Sequence, residues 1–101
     1  MAYNINLAIQ VLPKTKEGDV YAIVDKAIQA IAASGVTYRV CPFETVMEGP
    51  YDKLMEVVRQ AQEACFEAGA EEVLVNIKLQ HRRDGDVTIA EKTGKYDRPV
   101  T

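Results

Sequence analysis

The stretch that decides the fold is residues 36–50, which read VTYRVCPFETVMEGP. Val36, Tyr38 and Val40 alternate with threonine, arginine and cysteine, which indicates a strand with one buried face. After a short turn, residues 44–49 predict a second strand. Because so few residues separate the two strands, we expect them to form a hairpin.

Amphipathic helices are predicted on both sides of this hairpin. Apolar residues recur at three- and four-residue spacing over positions 20–31, with Asp19 placed to cap the start of the helix and Gly35 to end it. A second apolar stripe covers residues 54–68 and stops at Gly69. Each stripe is wide enough for one side of a helix to pack on a sheet.

Two further strands complete the pattern. Residues 5–11 alternate apolar and polar side chains and are expected to end at Pro13, and residues 73–80 repeat the alternation before a charged turn at 81–86. The order is strand, helix, strand, strand, helix, strand. It predicts an α+β, ferredoxin-like fold, in which a four-stranded antiparallel sheet carries both helices on one face.

The sheet face turned away from the helices, called the outer face below, is predicted to be open and half-polar. It would carry Ala8 and Leu74 among the polar side chains of Asn6, Gln10, Asn76, Lys78 and Gln80. Surfaces of this kind often pair with a partner subunit and leave polar clefts at the junction.

A length of 101 residues fits one domain. We expect residues 1–101 to form a single ferredoxin-like domain with its core at about 3–85 and a C-terminal extension at 87–101. Residues 87–90 are candidates for a short fifth strand, and the polar residues that follow are expected to be ordered only by a neighbouring molecule.

Composition excludes several classes of protein. The net charge of −3, with 48% hydrophobic and 27% charged residues, is typical of a globular protein, argues against nucleic acid as a partner and suits a cationic ligand better. No apolar run is long enough to cross a membrane, and no signal sequence begins the chain, so a cytoplasmic protein without a membrane partner is expected. Cys41 and Cys65 lack the spacing of a metal or redox motif and are interpreted as buried thiols. No metal or cofactor is expected.

Several short motifs carry a family resemblance. Residues 35–38 read GVTY, 45–49 read TVMEG, 67–70 read EAGA and 81–84 read HRRD. In their order and spacing, over about residues 3–85, they resemble the small thiamine-binding protein family. The resemblance implies a ferredoxin-like fold, homodimers or homotetramers assembled through the sheets, and binding without catalysis of thiamine (vitamin B1) or its hydroxymethylpyrimidine moiety.

The resemblance also implies site residues. By position, the threonine and glutamate of the family's third strand correspond to Thr45 and Glu48, and the arginine after the last strand corresponds to Arg82 or Arg83. The chain departs from the common pattern at Phe43 and the glutamate that follows it, where small or apolar residues are frequent. That glutamate either alters the pocket entrance or faces water.

Thiamine presents a flat aminopyrimidine and a cationic thiazolium, so its pocket needs a hydrogen-bond acceptor, a negative charge and an apolar plate. Glu48 could accept from the amino group and face the cation, Thr45 could bond a ring nitrogen, and Phe43 could stack. Asn76 is a further candidate, because an amide in mid-strand needs partners.

Each of these candidates has a structural alternative. Glu48 could favour the amino end of the second helix, Thr45 could bond a cross-strand neighbour, and Phe43 could fill a core or interface. Arg82 and Arg83 form a candidate anion site, although a solvated turn or salt bridges to a partner subunit is the favoured interpretation.

The sequence thus predicts an oligomer that binds thiamine or a related pyrimidine at an intersubunit cleft lined by the third and fourth strands, for sequestration or delivery. One alternative is a small hydrolase of the acylphosphatase type, which would need an arginine in the loop after the first strand. Residues 13–18 contain none. Another is an RNA-binding module, which would display aromatic residues on its central strands. A structural or regulatory oligomer without a small ligand also remains open.

Overall fold

A computed structural model describes residues 3–97 of the chain. The elements of the first 80 residues are β1 (Asn4–Lys14), α1 (Val20–Ala33), β2 (Thr37–Val40), β3 (Thr45–Pro50), α2 (Tyr51–Glu67) and β4 (Glu72–Gln80). They are followed by α3 (Ile89–Thr93) and a short 3-10 helix (Gly94–Tyr96).

The four strands form one antiparallel sheet in the order β2-β3-β1-β4. The predicted hairpin is present, with Tyr38 opposite Met47, and the backbone N–H of Cys41 donates to the carbonyl of Glu44 (2.9 Å) to close its turn. The two long helices pack on one face of this sheet. The predicted ferredoxin-like α+β fold is therefore confirmed.

The core lies between the sheet and the two long helices. Alternate residues of β1 point into it, and every fourth or third residue of each helix meets them there. The fully or almost fully buried members are Ile5, Leu7, Ile9, Ile23, Ala27, Ile31, Met47, Leu54, Val57, Val58, Ala61 and Cys65. Burial raises the pKa of the Cys65 thiol, which keeps it protonated and agrees with the interpretation of a buried thiol.

The predicted helix ends are also confirmed. The carboxylate of Asp19 accepts a hydrogen bond from the N–H of Tyr21 (2.9 Å) and so caps α1. Gly35 and Gly69 follow α1 and α2 with φ angles of +84° and +106°. Because this left-handed region strains residues that carry a Cβ, glycine is the favoured residue at both positions.

Two expectations about the strands are wrong, one about where β1 ends and one about a fifth strand. β1 does not stop at Pro13 but runs to Lys14, because only β4 lies beside β1 there and the missing N–H of proline is tolerated. Residues 87–90 do not form a fifth strand. The Thr88 hydroxyl accepts from the N–H of Glu91 and the Glu91 carboxylate accepts from the N–H of Thr88, which starts a helix at Ile89 instead.

Within residues 3–97, no helix is both long enough and apolar enough to span a bilayer.

Replacing one valine at the centre of this core should destabilise the fold strongly. Val57 of α2 is fully buried, so Val57→Ala should lower the free energy of unfolding by about 1.5–3 kcal/mol through lost burial and a cavity. Val20→Ala at a 43% exposed helical position is the matched control and should change it by less than about 0.5 kcal/mol. Urea denaturation of the two variants tests this, and equal losses would contradict the assigned core.

Candidate ligand cavity on the outer face

The outer face carries the polar side chains that the sequence placed there. Across β1 and β4, Asn6 lies opposite Gln80, and Gln10 lies opposite Asn76. On the other side of β1, Asn6 also lies opposite Glu48 of β3. Directly paired residues of antiparallel strands point to the same face, so Glu48 belongs to the outer face too.

This face is not left open, because residues 87–97 fold back over part of it and form a C-terminal roof. The N–H of Val87 donates to the carbonyl of Asn4 (3.0 Å), and the Asn6 amide nitrogen donates to the carbonyl of Val87 (3.1 Å). Val87 is fully buried, outside the main core. The expectation that only a neighbouring molecule orders this segment is therefore wrong for its described part, which the chain's own sheet holds.

Glu48 anchors the start of α3. Its carboxylate oxygen Oε1 accepts a hydrogen bond of 2.6 Å from the N–H of Ile89, the first residue of that helix. A carboxylate at this end compensates for the unpaired N–H groups of the first helical turn. The structural role considered for Glu48 thus applies to α3 and not to α2.

Two arginines hold the rest of the roof. The Arg39 guanidinium of β2 donates two hydrogen bonds to the Asp97 carboxylate (3.0 and 2.6 Å) and one to the Thr93 hydroxyl (3.2 Å). Arg82 donates to the Glu91 carboxylate at 3.3 Å. The Thr88 N–H and the Arg82 side chain lower the pKa of Glu91, so this carboxylate stays ionised at neutral pH.

Between the roof and the sheet lies a cavity of about 370 Å³, called the roofed cavity below. Its volume falls at the lower end of the roughly 300–1,000 Å³ typical of small-molecule sites. The sheet contributes Asn6, Ala8, Arg39, Val46 and Lys78 to its wall, and the roof contributes Ile89, Lys92 and Thr93. The wall is thus mostly apolar, with a few polar and cationic groups set into it.

Asn6 is the unusual member of this wall. It is only 5% exposed, and its Oδ1 is the one buried side-chain oxygen or nitrogen without a hydrogen-bond partner in residues 3–97. Leaving such an acceptor unpaired costs about 1–3 kcal/mol. A buried acceptor that lines a cavity is a natural place for a ligand donor. The sequence placed Asn6 on the outer face but did not select it as a site residue, although an asparagine between Ile5 and Leu7 is a visible signal.

Two of the predicted site residues line a second, larger hollow, called the side depression below. It has a volume of about 640 Å³ and shares Ala8 and Lys78 with the roofed cavity. Phe43 is 83% exposed at its rim, and the Asn76 amide donates to Gln10 Oε1 at 3.1 Å. The two hollows therefore form one continuous surface.

Glu44, which departs from the common family pattern, and the nearby Cys41 also border these hollows. The Glu44 carboxylate forms an ion pair with Lys78 (3.2 Å) and lines the side depression, so it is not simply turned to water. Cys41 lines both hollows and is only partly buried, unlike Cys65. The interpretation of a buried thiol is therefore wrong for Cys41.

Thr45 and Glu48 are not brought together. Thr45 lies opposite Ile9 on the helix side of the sheet and is 5% exposed, whereas Glu48 lies on the outer face. Successive residues of a strand point to opposite faces, so side chains three positions apart cannot share a site. The third and fourth strands are not adjacent either, because β1 lies between them.

The candidate anion site after β4 is also divided. Arg82 is engaged by the roof, and it donates a further hydrogen bond to the carbonyl of Asp86 (2.6 Å). Arg83 is exposed and forms no hydrogen bond or ion pair with residues 3–97. In the same range, histidine, cysteine and carboxylate side chains do not gather in groups of three that could hold a metal ion.

The fold and the cavity define a class: a small ferredoxin-like protein with a ligand-sized hollow beneath its C-terminal roof. The sequence profile of a family described as thiamine-binding protein matches residues 7–97. This chain belongs to that family.

Individual relatives agree with this assignment. A UPF0045 protein of Clostridium perfringens is 43% identical over 91 residues, which are 90% of this chain and 95% of the relative. A solved domain of unknown function (DUF77) from Bacillus cereus is 46% identical with a TM-score of 0.91, over 94% of this chain and 91% of that one. A solved Thermotoga maritima protein, described as a candidate thiamine biosynthesis or salvage protein, is 27% identical with a TM-score of 0.82, over 92% and 98%.

Removing the Glu48 carboxylate should loosen the roof without unfolding the sheet. In Glu48→Ala, the Ile89 N–H loses a charge-assisted acceptor, so hydrogen-exchange protection of residues 89–93 should fall about tenfold, equivalent to about 1.4 kcal/mol. Thr37→Ala is the matched control, because Thr37 lies opposite Glu48 on the same face. It should leave the protection unchanged. Equal protection in Glu48→Ala and the native chain would contradict the anchoring role.

Proposed function

We propose that the chain binds thiamine or the related hydroxymethylpyrimidine, without chemical turnover, in the roofed cavity. Family membership supports this class of ligand. The observation that carries the assignment to this cavity is the buried and unpaired Oδ1 of Asn6. An aminopyrimidine brings the N–H donor that this oxygen lacks.

The shape of the wall suits a flat ring. Ala8 and Val46 form an apolar patch on the sheet, and Ile89 lies on the roof side. The pyrimidine would lie between these apolar groups with its amino group directed at Asn6. In thiamine, the thiazolium would extend into the side depression, where Phe43 offers an aromatic plate and Glu44 a negative charge.

Binding without catalysis is supported by the chemistry of the wall. Among the described residues, those lining the roofed cavity include amides, cations, a thiol and a hydroxyl, but no histidine or carboxylate to serve as a general base. The hydrolase alternative is further weakened because the loop between β1 and α1, residues 15–19, contains no arginine. Sequestration or delivery of the ligand is the function that follows.

The proposed contact can be tested by titration calorimetry with hydroxymethylpyrimidine and an analogue that carries hydrogen in place of the amino group. The native chain should bind the amino compound about tenfold more tightly, which is the effect of one buried hydrogen bond of about 1.4 kcal/mol. Asn6→Ala should abolish this preference. Gln10→Ala, on the same face of β1 but outside the roofed cavity, should retain it.

Because the test compares two ligands within each variant, a general loss of affinity does not mimic the result. An unchanged preference in Asn6→Ala would remove Asn6 from the site. If neither thiamine nor hydroxymethylpyrimidine binds the native chain at millimolar concentration, the proposed function fails, and a structural or regulatory role becomes the better account.

The proposal includes self-association through the sheet into a homodimer or homotetramer. Leu12 and Leu74 lie opposite each other across β1 and β4 and are 40% and 52% exposed. β4 is a nine-residue edge strand that pairs only with β1 among the described strands. Exposed apolar edge strands are favoured sites of pairing with another chain. A second copy placed here would turn the side depression into an intersubunit cleft.

Sedimentation velocity tests this assembly. Leu74→Glu should shift the chain to the monomer, because it places a charge in the proposed interface. Phe66→Glu is the matched control, since Phe66 is 50% exposed on α2, on the other side of the sheet. It should leave the assembly intact. A monomeric native chain, or equal effects of the two substitutions on the assembly, would contradict the proposed self-association through the sheet.

A further inference from the structure

The roofed cavity carries an unexpected excess of positive charge for an acidic chain. Arg39 of β2, Lys78 of β4 and Lys92 of α3 all line it. They come from three separate elements, so their convergence does not follow from neighbouring positions in the sequence. Among the described residues, no aspartate or glutamate lines the cavity, although the whole chain has a net charge of −3.

Nearby carboxylates only partly balance these cations. Asp97 holds Arg39, and Glu44 holds Lys78 at the border of the cavity. Glu48 does not line the cavity, and its carboxylate accepts a hydrogen bond from the Ile89 N–H. Lys92 forms no ion pair with residues 3–97. A charge that faces a partly enclosed cavity and forms no ion pair favours an anion there.

Two independent features therefore describe one ligand. Asn6 Oδ1 requires an N–H donor, and the three cations favour an anionic group within the same small volume. We propose that the preferred ligand of the roofed cavity is a phosphate monoester of an aminopyrimidine, with its amino group on Asn6 and its phosphate on Lys92, Lys78 and Arg39. This inference rests on the proposed function and specifies its ligand class.

The chemistry favours the ester over the uncharged alcohol and over thiamine itself. A phosphate monoester carries a charge of about −1.5 to −2 near neutral pH and accepts several charge-assisted hydrogen bonds. The thiazolium of thiamine carries a positive charge, so it cannot pair with Lys92, Lys78 and Arg39 as a phosphate would, and it would have to use Glu44 in the side depression instead. A cavity of about 370 Å³ also suits one ring with one phosphate better than a longer molecule.

Titration calorimetry at low and at moderate salt tests the inference with four probes: hydroxymethylpyrimidine, its phosphate ester, thiamine and inorganic phosphate. The ester should bind at least about tenfold more tightly than the alcohol, and this preference should shrink with salt. Lys92→Gln should reduce the preference to about threefold or less, and Lys78→Gln should reduce it as well. Circular dichroism would confirm that the variants are folded.

Lys95→Gln is the matched control. Lys95 lies in the same roof, but its ammonium group sits 5.0 Å from the ring of Tyr96 and does not line the cavity. It should leave the preference for the ester unchanged. Equal losses in Lys92→Gln and Lys95→Gln would show a general charge effect and overturn the inference.

The outcomes separate the inference from the function on which it rests. If the ester and the alcohol bind the native chain equally well, the phosphate preference is overturned while pyrimidine binding stands. If inorganic phosphate binds as tightly as the ester, the pyrimidine adds nothing and the combined ligand is overturned. If no pyrimidine binds, the proposed function itself fails.

Discussion

The alternation of side chains along β1 is the constraint on which the rest of the structure depends. Leu7 and its alternate neighbours are buried against the two long helices, while Asn6 and Ala8 point to the outer face. Because β1 pairs with both β3 and β4, its register also determines which of their residues line that face. A slip of β1 by one residue would turn its apolar side chains to the outer face and its polar side chains into the core. The free energy gained by burying the apolar side chains opposes such a slip.

The outer face becomes a candidate site only because the end of the chain returns to it. Asn6 receives the backbone of Val87, and Glu48 receives the first turn of α3. The cavity therefore combines groups from the first strand, the central hairpin and the last described residues. Positive charge gathers there although the chain as a whole is acidic.

Much of the fold could be predicted from the sequence, because strands, helices and helix ends leave local signals. The period-two pattern and the glycines that follow the helices sufficed for the hairpin and the element order. The same periodicity also implied that Thr45 and Glu48 point to opposite faces of the sheet. The family resemblance nevertheless assigned both residues to one site.

The roof could not be predicted in the same way. A helix of five residues is too short to show an apolar period, and its anchors Arg39 and Glu48 lie about 40 to 60 positions away from their partners. Pairings across such distances depend on the folded sheet. The site predicted from the sequence consequently included Phe43 and Asn76, which line the side depression, but not Asn6 in the roofed cavity.

The polar attachment of the roof has a consequence for the kinetics of the cavity. Besides the buried Val87, hydrogen bonds and ion pairs from Glu48, Arg39 and Arg82 hold the roof, and none of these contacts belongs to the main core. Opening of this kind is local and leaves the packed core intact. If the cavity holds the proposed ligand, its residence time would be governed by the release of one short helix, a motion much faster than unfolding of the sheet.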